Sequence, residues 1–225
     1  VQTDDAGRAI AMLDALGLAG ASVTMPLKGR VRDHLAGLDP AARVVGAVNT
    51  IYRRGGRLFG TNTDGEGAVR ALERVLPLEG LRVLILGAGG TARSVAWVAA
   101  RAGADVALCN RTGERAVEAA EELHVRAVPS LDSEPFDVLV NATSVGLGSE
   151  ETLVGDPSVL SGKIVLDCVA QPLRTRLVRD AEAAGATVVT GREMWLEQGA
   201  AQASLWLGAE ITADRLRGLL PEAGQ

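Results

Sequence analysis

The sequence predicts an α/β protein in which a Rossmann-like parallel sheet domain is joined to a smaller α/β domain. Three observations carry that expectation. From Gly80 onward the short β-branched runs Arg82–Leu86, Asp105–Asn110, Asp137–Asn141, Ile164–Val169 and Thr187–Thr190 alternate with Ala-rich helical segments, the pattern of parallel strands covered by helices. The first run enters the glycine-rich turn Gly87-Ala88-Gly89-Gly90-Thr91-Ala92, and the helix expected over Thr91–Ala102 has an apolar face of Val95, Ala96, Val98, Ala99 and Ala102. The chain before Gly80 lacks this alternation.

The elements of that first part follow from local signals. A helix is expected at Ala9–Leu16, a strand at Ala21–Thr24, a helix at Gly29–Gly37, and hairpin strands at Gly46–Tyr52 and Leu58–Thr61. A helix Gly65–Leu76 then leads into the second lobe. Near the carboxyl end, Glu193–Gly208 reads as a long helix and Ala213–Leu220 as a shorter one. The expected division is residues 1–76 joined by the C-terminal helices 193–225, against residues 77–192. A chain of 225 residues that is 47% hydrophobic can bury cores of that number and size.

Composition excludes several classes. Net charge is −5 and the 23 basic residues are scattered, so no patch attracts nucleic acid or an anionic membrane, and a small-molecule partner is expected. Cys109 and Cys168 lie in separate apolar runs, and with only two histidines, His34 and His124, no zinc site or disulfide framework is expected. The usage fits a reducing cytoplasm. No apolar stretch approaches the ~20 residues of a membrane helix. Only Lys28 and Lys163 are lysines, which draws attention to a lysine inside a motif.

Strand, Gly87-x-Gly89-x-x-Ala92 and helix together predict a dinucleotide site. The first glycine allows the tight turn, the second lets a pyrophosphate approach the backbone, and the small third residue lets helix and strand pack closely. Free N–H groups and the positive helix end then face the phosphates. The second strand ends Asn110-Arg111-Thr112, with Arg115 one helical turn beyond and no acid where an NAD-binding site places one. Two arginines can accommodate a 2′-phosphate, which predicts NADP; they also read as solvated charges at a strand end. Asn141, Thr143 and Ser144 follow a buried strand at its carboxyl end, where open α/β sheets bind ligands, although a loop-and-cap reading suits them too.

Three earlier segments, Ser22-Val-Thr24-Met-Pro26-Leu-Lys28, Gly46-Ala-Val-Asn49-Thr50 and Gly60-Thr-Asn62-Thr63-Asp64-Gly65-Glu-Gly67, resemble motifs of the shikimate dehydrogenase family. Later segments agree in order: Gly87–Ala92, Asn110–Thr112, Asn141–Gly146, and Gly191–Gln198 followed by Gln202. The resemblance runs from about Gly20 to Gly208. It implies an NADP-dependent reductase of 3-dehydroshikimate with Lys28 as proton donor and Asp64 orienting the neighbouring hydroxyl. Asp64 also suits the N-cap of the following helix, and the two roles are compatible. It further implies that Thr24, Asn49 and Gln198 hold substrate hydroxyls, and that Gly191 and Met194 complete the cofactor contacts. Turn, strand and helix-face readings of Asn49, Thr24 and Gln198 stay open beside these.

The departures from the family concern substrate. Members begin with a βα unit carrying a Ser-x-Ser carboxylate-binding motif, and no such segment precedes Gly20. The expectation is therefore a chain lacking roughly three to four dozen residues, a fragment or a piece of a fusion with an upstream enzyme of the same pathway. Ser22 replaces the family's Asn, and Ala170 stands where a Tyr is usual. Quinate or aminoshikimate as substrate, or a cofactor-binding fragment without turnover, are the alternatives.

Overall fold

The computed structural model describes residues 4–24 and 26–219. Its contacts divide the chain into two units, one of Val1–Asp64 with Gln198–Gln225 and one of Gly65–Glu197.

The first unit is built on a four-stranded sheet. Its elements are α1 (Ala6–Ala15), β1 (Gly20–Ser22), β2 (Gly37–Leu38), α2 (Pro40–Val45), β3 (Thr50–Arg54) and β4 (Arg57–Thr61), in sheet order β1-β3-β4-β2. Asp5 caps α1 by accepting from the Arg8 amide at 2.9 Å. Strands β3 and β4 pair antiparallel around Gly55-Gly56, whose φ values of 57° and 77° supply the two left-handed positions of a tight hairpin. Ala6, Ile10, Val31, Ala42, Val48, Ile51 and Leu58 form the core.

Two expectations for this unit are corrected. The helix expected over Gly29–Gly37 is a single 3₁₀ turn at Val31–His34, after which Leu35 is extended (φ −100°, ψ 153°) and the chain joins the sheet as β2. Only Val31 and Leu35 offered a helical apolar stripe, and the Ala36 amide gains the Leu58 carbonyl at 2.8 Å instead. The strand expected from Gly46 begins at Thr50, because Asp39-Pro40 opens the unforeseen α2 and Gly46, at φ 73°, ends it.

The second unit begins on α3 (Asp64–Glu73) and continues through β5 (Arg82–Leu86), α4 (Gly90–Arg101), β6 (Asp105–Cys109), α5 (Gly113–Leu123), β7 (Arg126–Ala127), β8 (Val138–Asn141), β9 (Ile164–Asp167), α6 (Arg176–Ala183) and β10 (Thr187–Val189). All six strands are parallel, in the order β7-β6-β5-β8-β9-β10. This is the doubly wound order, and its reversal falls between β5 and β8. The expected strands are present, Arg82–Leu86 with its expected bounds and the other four trimmed at one end, and β7 is an additional two-residue edge.

The helix expected at Gly65–Leu76 belongs with this unit, not with residues 1–64. Its Ala68, Val69, Ala71 and Leu72 pack into the core that holds Val83, Ile85, Val95 and Ala99. The start is close-fitting: the Gly65 amide donates to Ser94 Oγ at 2.9 Å, and a Cβ on Gly65 would lie 2.2 Å from the Ser94 carbonyl oxygen. The long α7 (Gly191–Leu207) and α8 (Ala213–Arg217) complete the described chain. The end of the expected last helix at Leu220 lies outside the described residues. Among the described residues no helix is long and apolar enough to cross a membrane, and no group of three His, Cys, Asp or Glu could hold a metal ion.

One ion pair at the amino ends of the strands has a pH signature. Asp137 accepts from the Arg82 amide at 3.0 Å, Nε at 2.9 Å and Nη2 at 2.7 Å. These bonds hold its carboxyl down from 3.8 to about 2. A depressed folded-state value gives stability that is present above the unfolded value and lost as pH falls through the folded one. Asp137→Asn is therefore expected to lower the melting temperature at neutral pH, with the difference from the parent narrowing between about pH 3.8 and about pH 2. A difference that stays constant across that window would show that the pair does not carry it.

Candidate active site

In the first unit, side chains from four segments meet. Lys28, in the turn after β1, donates from Nζ to Asp64 Oδ2 at 2.6 Å, with side-chain exposures of 22% and 10%. Asn49, just before β3, donates from Nδ2 to Asp64 Oδ1 at 2.6 Å and to Thr63 Oγ1 at 3.0 Å. Its Oδ1 accepts from Thr50 Oγ1 at 2.6 Å and the Thr63 amide at 2.9 Å. Both amide hydrogens of Asn49 are thus committed, so it aims the carboxylate; the more distant Gln198 Oε1, at 3.4 Å, is left to Thr63 Oγ1 at the same distance.

Asp64 is the first residue of α3, and its amide donates to Asn62 Oδ1 at 3.0 Å in a local Asx turn. Asn62 in turn donates to the Ala47 carbonyl at 3.1 Å. Asn62 and Thr63 belong to the Gly60–Gly67 segment singled out from sequence, but their positioning role was not read there. The Asn-x-Asp spacing was the available signal. Thr24 is exposed and, with Ser22, walls an apolar groove of about 510 Å3 that also involves Met12, Leu13, Leu16 and Leu27. Gln202 reaches Ser22 Oγ at 3.4 Å.

In the second unit the predicted turn has the features that hold a dinucleotide. Gly87 follows β5 with φ 121°, a left-handed conformation, and a Cβ there would lie 3.1 Å from the Ala142 carbonyl oxygen. Gly89 is the N-cap of α4 and, being a glycine, places no side chain between that helix start and a phosphate. Ala92 is buried between helix and sheet, and Ala88, Gly90 and Thr91 complete the turn. At the end of β6, Asn110 Nδ2 donates to the Thr112 carbonyl at 2.9 Å, shaping the turn into α5. Arg111, Thr112 and Arg115 are exposed, and neither arginine has an ion-pair partner among the described residues. By contrast Arg93, one residue past the turn, is paired with Glu122.

Across the sheet reversal, Asn141 is not a free ligand group. Its Nδ2 donates to the Val145 carbonyl at 3.1 Å and Asp167 Oδ1 at 3.0 Å, and its Oδ1 accepts from the Thr143 amide at 3.1 Å and Oγ1 at 2.7 Å. Ser144 is exposed on the loop so formed. Gly191 opens α7 where a Cβ would lie 2.4 Å from the Val169 carbonyl oxygen, a packing constraint. Met194 is 7% exposed and packs in the main core of this unit.

The pattern of the shikimate dehydrogenase substrate binding domain matches residues 1–51, and that of shikimate / quinate 5-dehydrogenase matches residues 70–156. The chain is 43% identical over 221 residues to the shikimate dehydrogenase (NADP(+)) of Pyrococcus abyssi, covering 96% of this chain and 83% of that one. It belongs to the shikimate dehydrogenase family. The Bacillus subtilis shikimate dehydrogenase (NADP(+)) is 35% identical over 98% of this chain and 83% of its own. Shikimate 5-dehydrogenase of Thermus thermophilus, solved with NADP(H) and shikimate, superposes with a TM-score of 0.88 at 36% identity, over 97% of this chain and 84% of that chain. Quinate dehydrogenase of Corynebacterium glutamicum, solved with NAD, gives 0.86 at 29% identity, over 95% and 81%.

If Arg111 and Arg115 face a 2′-phosphate, replacing each by Ala is expected to weaken NADP binding by roughly one to two decades while leaving NAD binding nearly unchanged. Titration calorimetry with both dinucleotides reads this. Equal losses for NADP and NAD would place the arginines elsewhere.

Proposed function

We propose that this chain is an NADP-dependent oxidoreductase that reversibly reduces 3-dehydroshikimate to shikimate, a step in the biosynthesis of chorismate and the aromatic amino acids. The observation that carries the reading is the Lys28–Asp64 pair at 2.6 Å, with Asn49 fixing the second carboxylate oxygen. The chemistry the dinucleotide supplies is a hydride for the carbonyl carbon. The residues that would hold it are Gly87–Ala92, with Arg111 and Arg115 for the 2′-phosphate; their fit rests on the left-handed Gly87, the uncapped α4 and the unpaired arginines.

Lys28 then has a definite task. As the carbonyl becomes an alkoxide, a proton must reach the oxygen, and the Lys28 ammonium donates it. Asp64 keeps Lys28 aimed and accepts from the adjacent substrate hydroxyl, so it serves the bound state as well as the transition state. In the reverse direction Lys28 takes the proton back. Gln198, with Thr63, stands ready to orient a further hydroxyl, and Thr24 and Ser22 offer two more. A cytoplasmic location fits a chain with two free cysteines and these small-molecule partners.

Oxidation of shikimate with NADP is the direct test; faster turnover of quinate would move the assignment to that relative, and no NADP-linked turnover of either would overturn it. Lys28→Ala is expected to lower kcat by roughly 10²–10⁴-fold with a much smaller rise in KM. Asp64→Asn is expected to impair both constants. A Lys28 variant that changes only KM would remove the proton-donor role.

A further inference from the structure

Asp167 is a buried carboxylate that the reaction does not use, and unlike the buried Glu197, which pairs with Arg74, its hydrogen-bond partners are all uncharged. It ends β9, is 1% exposed, and cannot touch a ligand. Its Oδ1 accepts from Asn141 Nδ2 and from the Val169 amide, both at 3.0 Å, and its Oδ2 accepts from Thr175 Oγ1 at 2.6 Å. All three donors are neutral. Burial pushes the carboxyl above its ordinary value and the three donors only partly oppose that, so the charge is kept at a cost.

The geometry shows what the charge holds. Asn141 is the hub of the turn 141–145: it binds the Thr143 amide and hydroxyl and the Val145 carbonyl, and Thr143 Oγ1 accepts from the Val145 amide at 3.0 Å. On one side this loop abuts the phosphate turn, because Gly87 lies against Ala142. On the other it abuts Thr175, because a Cβ on Gly146, at φ 95°, would lie 3.2 Å from Thr175 Cβ and Cγ2. Thr175 is itself the N-cap of α6, accepting from the Val178 amide at 3.2 Å. The loop carrying Thr143 and Ser144 therefore leans on Gly87 in front and on Thr175 behind, and one carboxylate ties Asn141 and Thr175 together.

We propose that Asp167, acting through Asn141 and Thr175, is a positioning residue that sets the 141–146 loop at the sheet reversal for the dinucleotide. The proposal rests on reading the β5–α4 turn as the dinucleotide site. A carboxylate suits the position because it accepts on both oxygens and donates nothing. An amide there would either set its NH₂ against Asn141 Nδ2, donor against donor, or reverse the Thr175 bond and leave that hydroxyl's own proton without its acceptor.

The experiment measures NADP affinity, kcat, KM for shikimate and melting temperature for the parent, Asp167→Asn, Thr175→Val and Thr175→Ser. Thr175→Val removes the hydroxyl that meets Asp167, whereas Thr175→Ser keeps it. Expected are Kd values for NADP raised about tenfold in Asp167→Asn and Thr175→Val, near-parent affinity in Thr175→Ser, and an unchanged KM for shikimate. The double variant is expected to lose less than the product of the two single losses, because both disturb the one network that runs through Asn141, Asp167 and Thr175. If Asp167→Asn does not fold, the two Thr175 variants decide alone. A lowered melting temperature with parent-like NADP affinity would overturn the proposal, as would equal damage to NADP and shikimate constants. A parent chain that binds no NADP would instead overturn the dinucleotide reading, leaving a distinct signature.

Discussion

The placement of the Asp64 carboxylate depends on hairpin register. Thr50 pairs with Thr61 and Ile51 with Gly60 across β3 and β4, and the Asn49 amide reaches the Thr61 carbonyl at 3.2 Å. This brings Asn49 beside Thr63 and Asp64, so that one side chain can bind both. A slip of one residue would turn Asn49 to the opposite face and leave the carboxylate without its amide. What prevents the slip is the two-residue Gly55-Gly56 turn, whose positive φ angles admit one strand register, reinforced by Ile51 and Leu58 in the core. Everything the first unit offers chemically follows from that register, including the direction in which Lys28 is pulled.

The two units solve positioning differently. The first uses side chains: Asn49, Thr50 and Thr63 bind one another, and Asn62 accepts from the Asp64 amide while holding the Ala47 carbonyl, until little freedom is left around Asp64. The second uses backbone: a left-handed glycine after β5 and an uncapped helix start make donors out of main-chain amides. The difference matches the tasks. A polyhydroxylated ring needs several directed polar groups, while a pyrophosphate needs close approach and positive potential. The chain passes from one unit to the other beside Asp64, the first residue of α3, and beside Gln198, within α7, so both candidate residues lie on helices rather than in loose linkers.

How legible this was in the sequence varied with the kind of signal. The parallel sheet and its phosphate turn were readable because β-branched runs, glycine spacing and helix period agree with one another over residues 82–110. The first unit was readable only in part. Val31 and Leu35 imitate a helix, and nothing local says that Ala36 will prefer the Leu58 carbonyl, since that preference comes from a strand more than twenty residues away. Pro40 after Asp39 was a usable helix start that went unread. Site residue types were legible, but not where their bonds go. Asn49 and Asn141 look from sequence like ligands, while the structure commits their amides internally. Gly191, a cofactor contact by resemblance, also leaves no room for a Cβ beside the Val169 carbonyl, a constraint the sequence alone does not show.

The two aspartates at strand and helix ends illustrate why burial separates reacting from supporting groups. Asp64 keeps part of its surface open and has a cation at 2.6 Å, so its charge is balanced and can be shared with an incoming hydroxyl. Asp167 has no cation among its hydrogen-bond partners, only neutral donors that occupy both oxygens, and no surface to offer. Exchanging their environments would undo both arrangements: Asp64 would lose the lysine that balances its charge, and an exposed Asp167 would exchange its three donors for water. A carboxylate surrounded by fixed neutral donors is a rigid joint, and one facing a lysine at a partly open surface is a reagent; the hydrogen-bond partners, more than the residue type, assign the role.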